Sequence, residues 1–256
     1  MSASELFDGI RWIAAGWVVV ILIFLYFSYN NKSTLLSEQN RDELKAIVND
    51  SSVRTGAEFS TARNQDLDDD TVNMDQENVM PDYSTIAARY PDFKGWIQIQ
   101  PFGIDYPIFV DHQNPYKYER MTRDGEVSNL GEIGYLGSPG QSDNLVVFGH
   151  SLTDGSGFTA IDHFPDLSAR QQADTVVILD LYARMERKRY RVIRAGYYPK
   201  GEDVFCTTDF ADSSDYQTFL QKEAGLDHYQ GQLLTLYTCK NHSSTWHTVL
   251  YCVPID

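Results

Sequence analysis

Two strand-like segments each end on a side chain that can take part in nucleophilic catalysis. The segment TLYTC (235–239) ends in Cys239, and the segment NLVVFGH (144–150) ends in His150. Only a thiolate is a good nucleophile, so a reactive cysteine needs a neighbouring base or positive charge. Strands that end at the same rim of a sheet bring their last side chains together. The sequence therefore predicts Cys239 as a nucleophile and His150 as its acid–base partner.

The cysteine count is consistent with a single reactive thiol. The chain has three cysteines, too few for a disulfide scaffold, and the odd number leaves at least one unpaired. We interpret Cys206 and Cys252 as structural, because an isolated cysteine is most often a small buried apolar residue. An alternative is a disulfide between these two outside the cell, which leaves Cys239 as the free thiol.

Two other chemistries fit these residues less well. The run Gly149-His150-Ser151 is similar to a serine-hydrolase elbow, but that motif needs glycine at position 153, where Thr153 stands. A metal site built from Cys239, His242 and His247 lacks a full ligand set by spacing alone. We therefore predict neither a metal nor another cofactor.

The elements that must position these side chains are mostly strands. Short helices are predicted at 83–89, 116–121 and 214–224. No internal repeat is visible, and strands with interspersed short helices favour a closed or nearly closed β-barrel over alternating βαβ units. We predict a mainly-β domain over residues 81–256. The predicted strands are 95–100, 104–110, 144–150, 175–183, 188–198, 233–239 and 246–253.

Composition narrows the class of protein further. The 256 residues include 36 acidic and 21 basic side chains, a formal net charge of −15. An acidic chain lacks the lysines and arginines that replace counterions at phosphates, which argues against a general nucleic-acid binder. Apolar residues make up 42% of the chain and aromatic residues 13%, enough to bury a core.

The N-terminal segment is predicted to be a membrane anchor over residues 1–31. Residues 12–29 carry no charge, and as a helix they would span about 27 Å, close to the thickness of the hydrocarbon layer. The alternative is a cleaved signal peptide, but no small-residue cleavage site follows the apolar run. Arg11 precedes the span while Lys32 and Arg41 follow it, so charge barely orients it.

Residues 32–80 are predicted to be a juxtamembrane helix and an acidic linker. Ser33 or Thr34 can cap a helix through 35–48, which has a partial apolar stripe. Residues 66–77 contain six carboxylates and no basic residue, which is typical of a solvated linker. The alternative, a calcium loop, needs glycine at the sharp turn, where Thr71 stands.

Several motifs together resemble those of class B sortases. TLYTC (235–239) resembles the T-L-x-T-C motif of sortases, and FGH followed by D-G-S-x-F (154–158) resembles class B in particular. The strand that opens with Gly95, the DYPI segment (105–108) and the N-x-Y-x-Y stretch (114–118) extend the resemblance. It implies an eight-stranded barrel and a thiol transpeptidase displayed on the surface of a Gram-positive cell. The N-terminus would be cytoplasmic, and the catalytic domain would be extracellular beyond a single-pass anchor.

The resemblance also implies roles for individual residues. Cys239 would attack a backbone carbonyl of a sorting-signal peptide, and an amine of peptidoglycan or of another protein such as a pilin would resolve the thioacyl enzyme. His150 would protonate the leaving amine and deprotonate the incoming one. Thr238 would position the substrate backbone, and Asn114 and Tyr118 would line the groove for the signal.

One residue departs from the family pattern. Sortases have an arginine at the start of the last strand, but no arginine follows Arg194 in this chain, and His247 stands at that position. A seven-residue hairpin connection would place 239 and 247 opposite each other. Three interpretations remain open: His247 substitutes for the arginine, Arg191 or Arg194 swings in, or the protein is an impaired sortase-like module that binds a peptide without turning it over.

Overall fold

The computed structural model describes residues 16–26, 28, 35, 39–50, 79–242 and 245–255. Residues 16–26 form helix α1 and residues 39–50 form helix α2, which agrees with the helix predicted through 35–48. Among the helices of these described ranges, none combines the length and the apolar character needed to cross a membrane. The predicted span 12–29 lies partly outside the described residues, and the acidic linker with its calcium-loop pattern lies wholly outside them.

Eight strands form one sheet that curls into a nearly closed barrel, in the order β2-β1-β5-β6-β8-β7-β4-β3. The two edges approach each other where the backbone N–H of Phe109 donates to the carbonyl of Ile133 at 2.9 Å. This confirms the predicted mainly-β, eight-stranded barrel. The strands are β1 Phe93–Ile99, β2 Ile104–Phe109, β3 Gly134–Leu136, β4 Asn144–Phe148, β5 Val176–Leu181, β6 Glu186–Pro199, β7 Leu233–Cys239 and β8 Trp246–Pro254.

Short helices lie between and around the strands. They are α3 Ser84–Arg89, α4 Ala169–Ala173 and α5 Ser213–Phe219, which continues as a π-helical turn over Leu220–Ala224. Single 3₁₀ turns occur at Gln100–Phe102, Thr159–Ile161, Phe164–Asp166, Tyr182–Arg184, Asp203–Cys206 and Lys240–His242. The helices predicted at 83–89 and 214–224 are confirmed within a few residues.

The helix predicted at 116–121 is wrong, because this segment forms a series of turns. Two aromatic side chains hold it in place at different sites. The ring of Tyr116 packs against Phe148, whereas the ring of Tyr118 packs against Phe109. The backbone between them forms 3₁₀-type bonds, such as Glu119 N–H to the Tyr116 carbonyl at 3.1 Å.

Alternation along the strands divides the apolar residues between the barrel interior and two outer clusters. The interior contains Leu234 and Leu236 of β7, while Leu233 faces an outer cluster with Phe205 and the helix α5. The third cluster joins α2 and α3 to β1 and β2, and Leu44 of α2 is fully buried in it. Burying each such side chain contributes about 1.5–3 kcal/mol before the cost of chain ordering.

Polar contacts fasten α2 to the barrel as well. Lys45 forms a 2.6 Å salt bridge with Asp105, and the Arg41 guanidinium donates to the Tyr106 hydroxyl at 3.2 Å. The same hydroxyl accepts a 2.9 Å hydrogen bond from the backbone N–H of Gly157. Tyr106 therefore connects α2 to the loop that follows His150.

Candidate active site

The ends of β4 and β7 bring Cys239 and His150 to one pocket. These strands are parallel neighbours, with Phe148 paired to Tyr237 as the last pair in register. Continuing the register by two residues sets His150 beside Cys239, both on the outer face of the barrel. Both side chains line a pocket of about 220 Å³. The structure thus places the predicted nucleophile and its predicted partner together.

His247 joins the same pocket from the other side of β7. The antiparallel pairing of β7 and β8 sets Cys239 directly opposite His247, as the hairpin length predicts. Residues opposite each other in such a pair have Cβ atoms about 5 Å apart. His247 also lines the pocket, so the position that the sequence assigned to the family arginine is next to the thiol.

The ring of His150 is oriented by a backbone carbonyl. Its Nε2 lies 2.8 Å from the carbonyl oxygen of Glu119. A carbonyl oxygen only accepts, so Nε2 carries the hydrogen, and Nδ1 is the basic nitrogen of the neutral ring. Burial lowers the pKa of His150, an effect that the Glu119 carboxylate partly opposes. The imidazole is therefore neutral at physiological pH, a state suited to accepting a proton.

The thiol of Cys239 is also neutral at rest. Burial raises its pKa above the ordinary thiol value, and the nearby charges do not reverse this effect. Lys200 and Arg120 lower the pKa, while Glu119 and Asp162 raise it. The resting site thus contains a thiol and an imidazole rather than a thiolate–imidazolium pair.

His247 is closely packed in a partly aromatic environment, and 8% of its surface is exposed to solvent. Its ring meets Phe205 and Tyr237 edge-on, with centroids 5.5 Å away in each case. The Nδ1 atom lies 3.4 Å from a carboxylate oxygen of Asp203 but makes no hydrogen bond. Burial lowers the pKa of His247, so the ring is neutral at pH 7 and has one N–H to donate.

Thr238 lines the pocket, and its hydroxyl also has a role in the fold. The side chain is buried, and its hydroxyl donates to the carbonyl of Gly149 at 2.8 Å. This bond joins the end of β7 to the end of β4, immediately before His150. Substrate positioning by Thr238 stays a prediction.

The other two predicted groove residues lie elsewhere. Asn114 is exposed in the turn after β2, and Tyr118 is buried, with its hydroxyl donating to Asp92 at 2.7 Å. Neither residue lines the pocket, whereas Tyr116 does. The N-x-Y-x-Y stretch therefore reaches the pocket through its first tyrosine rather than its second. The predicted contacts of Asn114 and Tyr118 with substrate remain predictions.

The three cysteines are all free thiols. Cys252 is fully buried in the barrel interior, which fits the structural interpretation. Cys206 packs against an outer cluster and lines the pocket, so it is not remote from Cys239. Because burial raises the pKa of Cys206 to about 12, its thiol is the less reactive of the two.

His242, the third residue of the alternative metal site, does not line the pocket that contains Cys239 and His247. His242 has a positive φ of 56°, and its Nδ1 lies 3.0 Å from the Ser151 hydroxyl. In the part of the chain that the structure describes, no three histidine, cysteine or acidic side chains are grouped to hold a metal ion.

Several pocket residues carry no signal in the sequence. Long-range pairing of β6 with β8 sets Tyr198 opposite His247, and this brings the segment after β6 to the pocket. Lys200 and Asp203 of that segment line the pocket together with Glu119 and Glu132. The lining thus includes these charged residues and three aromatic residues, Tyr116, Phe148 and Tyr237.

Neither arginine suggested as a replacement reaches this pocket. Arg191 pairs with Val253 and Val176 inside the sheet. The guanidinium of Arg194 donates to the carbonyl of Lys222 at 3.0 Å. Neither side chain lines the pocket.

Comparison with known proteins identifies the relatives of the chain. No protein-family model matches it. Sortase B of Staphylococcus aureus is 22% identical over 151 residues, which cover 57% of this chain and 59% of the relative. Sortase B of Listeria monocytogenes is 26% identical over 182 residues, 66% of this chain and 71% of the relative. In sequence and in fold, the chain is similar to class B sortases.

Solved sortase B structures share its fold. The crystal structure of Clostridium perfringens sortase B superposes with a TM-score of 0.59 at 21% identity, covering 68% of this chain and all of that one. A Bacillus anthracis protein similar to sortase B gives 0.63 at 20% identity, covering 87% and 98% of the two chains. A Staphylococcus aureus sortase B–substrate complex gives 0.57 at 19% identity, covering 71% and 88%.

Proposed function

We propose that this class B sortase homologue is a membrane-anchored cysteine transpeptidase. It would cleave a sorting-signal peptide through a thioacyl enzyme on Cys239 and transfer the acyl group to an amine of peptidoglycan or of another surface protein. The observation that carries the proposal is the convergence of Cys239, His150 and His247 on one pocket. One of the solved sortase B structures is a substrate complex, and this supports a peptide as the substrate.

The first half-reaction starts from the neutral thiol and imidazole. As Sγ of Cys239 attacks the peptide carbonyl carbon, its proton passes to Nδ1 of His150 and the carbonyl electron pair moves to the oxygen. His247 can donate one N–H to this oxyanion. When the oxyanion collapses, the C–N bond breaks, and the leaving amine takes the proton from His150.

The second half-reaction reverses these roles with a new amine. His150 removes a proton from the incoming amine as the nitrogen attacks the thioester carbonyl. The C–S bond then breaks, and the thiolate of Cys239 recovers a proton from the imidazolium. The thioester conserves the free energy of the cleaved peptide bond. Formation of the new amide bond therefore requires only proton transfer and acyl transfer.

We also propose that residues 1–31 anchor the protein in the membrane of a Gram-positive cell, with the catalytic domain outside. The relatives from Staphylococcus and Listeria support this host class. The test is protease treatment of intact cells that express the full chain. Digestion of the barrel with protection of a cytosolic marker would support the orientation, and protection of both would overturn it.

The catalytic proposal is tested by trapping the acyl enzyme. The full chain would be incubated with a diverse peptide library, quenched in acid and analysed by intact and peptide-mapping mass spectrometry. We expect an acyl adduct on Cys239 and none on Cys206, with loss of the adduct in Cys239→Ala and His150→Gln. Adding an amine acceptor should release the adduct as a ligated product. Peptide binding without any acylation would overturn the enzyme and favour a binding module.

A further inference from the structure

The site has a hydrogen-bond donor where the family has a positive charge. A guanidinium offers a fixed cation, whereas the neutral ring of His247 offers one N–H and no charge. An oxyanion in a partly buried pocket is stabilised strongly by a cation and much less by a neutral donor. Arg191 and Arg194 do not line the pocket, so another cation is needed for this role.

Lys200 is a cation on the wall of this pocket. It follows β6 directly, and its backbone N–H donates to the carbonyl of Thr245 at 2.8 Å. That bond closes the turn next to β8, two residues from the pair of Tyr198 with His247. The side chain of Lys200 lines the pocket together with Cys239, His150 and His247.

The ammonium of Lys200 is available to a ligand. Lys117 and Lys188 each form salt bridges with acidic side chains. Across the described ranges, no salt bridge of 4 Å or less involves Lys200. Asp203 also lines the pocket, and its carboxylate lies 3.4 Å from Nδ1 of His247.

Lys200 also acts electrostatically on the two groups that it would assist. Its charge lowers the pKa of Cys239, and among the neighbouring charges it has the largest effect on that thiol. It lowers the pKa of His247 as well. The remaining charged groups that face Cys239 are Arg120, Glu119 and Asp162.

We propose that Lys200 is the cation that stabilises the oxyanion formed when Cys239 attacks the peptide carbonyl. In this arrangement Lys200 supplies the charge and His247 supplies a directed N–H, two functions that one arginine combines. The inference rests on the proposed transpeptidase function. It adds a catalytic residue that comes from the end of β6 rather than from the start of β8.

The test compares Lys200→Gln and Lys200→Arg with the matched control Lys240→Gln in the full chain. Lys240 follows Cys239 in sequence, but its ammonium lies 3.3 Å from the ring centroid of Tyr197. With a peptide that acylates the wild type, we expect Lys200→Gln to slow acylation about 10²-fold with little change in KM. Lys200→Arg should keep the rate within about tenfold, and Lys240→Gln should match the wild type.

A second measurement needs no substrate. The rate of Cys239 alkylation by iodoacetamide would be followed against pH. Loss of the cation in Lys200→Gln should move the profile to higher pH, and Lys200→Arg should restore it. An unchanged profile in Lys200→Gln would overturn the proposal, because the ammonium would then lie too far from Sγ to act.

The outcomes separate this inference from the function on which it rests. An active wild type with equally active Lys200→Gln overturns the role of Lys200 and leaves the transpeptidase intact. If no peptide acylates the wild type, both the transpeptidase function and the oxyanion role of Lys200 are overturned. A slow Lys200→Gln variant that Lys200→Arg rescues supports both.

Discussion

The hydroxyl of Thr238 donates to the carbonyl oxygen of Gly149 at 2.8 Å. This bond ties the residue before Cys239 to the residue before His150. Cys239 and His150 are thus held at two adjacent strand ends that this hydrogen bond joins to each other. A site built in this way depends on the relative position of β4 and β7, and this dependence can be measured.

Thr238→Val removes that bond while preserving the shape of the side chain. Leaving the Gly149 carbonyl without this partner should cost about 1–3 kcal/mol of unfolding free energy, and acylation should slow as the strand ends loosen. Thr235→Val is the matched control, because Thr235 donates to the Asn144 side chain at the far end of the same strand pair, at 2.8 Å. Denaturant unfolding and acylation rates should show similar destabilisation in both variants but a lower rate only in Thr238→Val. Equal rates in the two variants would contradict the positioning role.

Gly157→Ala should disrupt the loop that carries His150. Gly157 has a φ of +69°, and a Cβ there would lie 2.3 Å from the carbonyl oxygen of His150. Gly155 in the same loop has a φ of +89°, but a Cβ there meets nothing within 4 Å. We expect Gly155→Ala to lose about 1–2 kcal/mol from backbone strain alone, and Gly157→Ala to lose more and to acylate more slowly. Thermal unfolding and acylation assays check this, and indistinguishable variants would contradict it.

His247→Phe tests the N–H of the imidazole separately from its packing. The ring should keep its edge contacts with Phe205 and Tyr237, so the melting temperature should change little. Without the donor, acylation should fall about 10²- to 10³-fold. A variant that acylates at the wild-type rate would show that His247 only fills space.

The pH dependence of alkylation should report a neutral thiol at rest. Because burial raises the pKa of Cys239, the thiolate fraction increases with pH, and the half-maximum should lie above the ordinary thiol value. Cys206 serves as an internal control, since its pKa of about 12 delays its reaction further. Site-resolved mass spectrometry separates the two residues. A plateau for Cys239 already below pH 7 would instead indicate a thiolate–imidazolium pair.

The sequence was sufficient to predict that Cys239 and His150 lie together at neighbouring strand ends. Seven of the strands have clear β patterns, and the hairpin length was enough to place His247 opposite Cys239. Strand β3 was not predicted, because Gly134–Leu136 is too short to show an alternating pattern. Tyr116 lines the pocket and Tyr118 does not, a difference that the N-x-Y-x-Y motif could not show because only packing distinguishes the two tyrosines.

Residues brought in by long-range pairing could not be predicted locally. Lys200 reaches the pocket because the end of the fourteen-residue strand β6, beyond a register shift between Val192 and Arg194, pairs with the start of β8 so that Tyr198 lies opposite His247. A shift of that register by one residue would turn alternate side chains to the other face. Neither β6 nor β8 contains a local motif that fixes this register, because the register is set by apolar packing on both faces of the sheet.

The connection from Arg41 through Tyr106 to Gly157 has a mechanical consequence. Tension on the chain before α2 would be carried by that helix and shared between strand β2 and the loop beside His150. In the anchored protein that we propose, tension on the anchor segment would therefore also act on the loop that follows His150. Pulling strongly enough to undock α2 would remove the Arg41 hydrogen bond from Tyr106 and reduce the stiffness with which His150 is held.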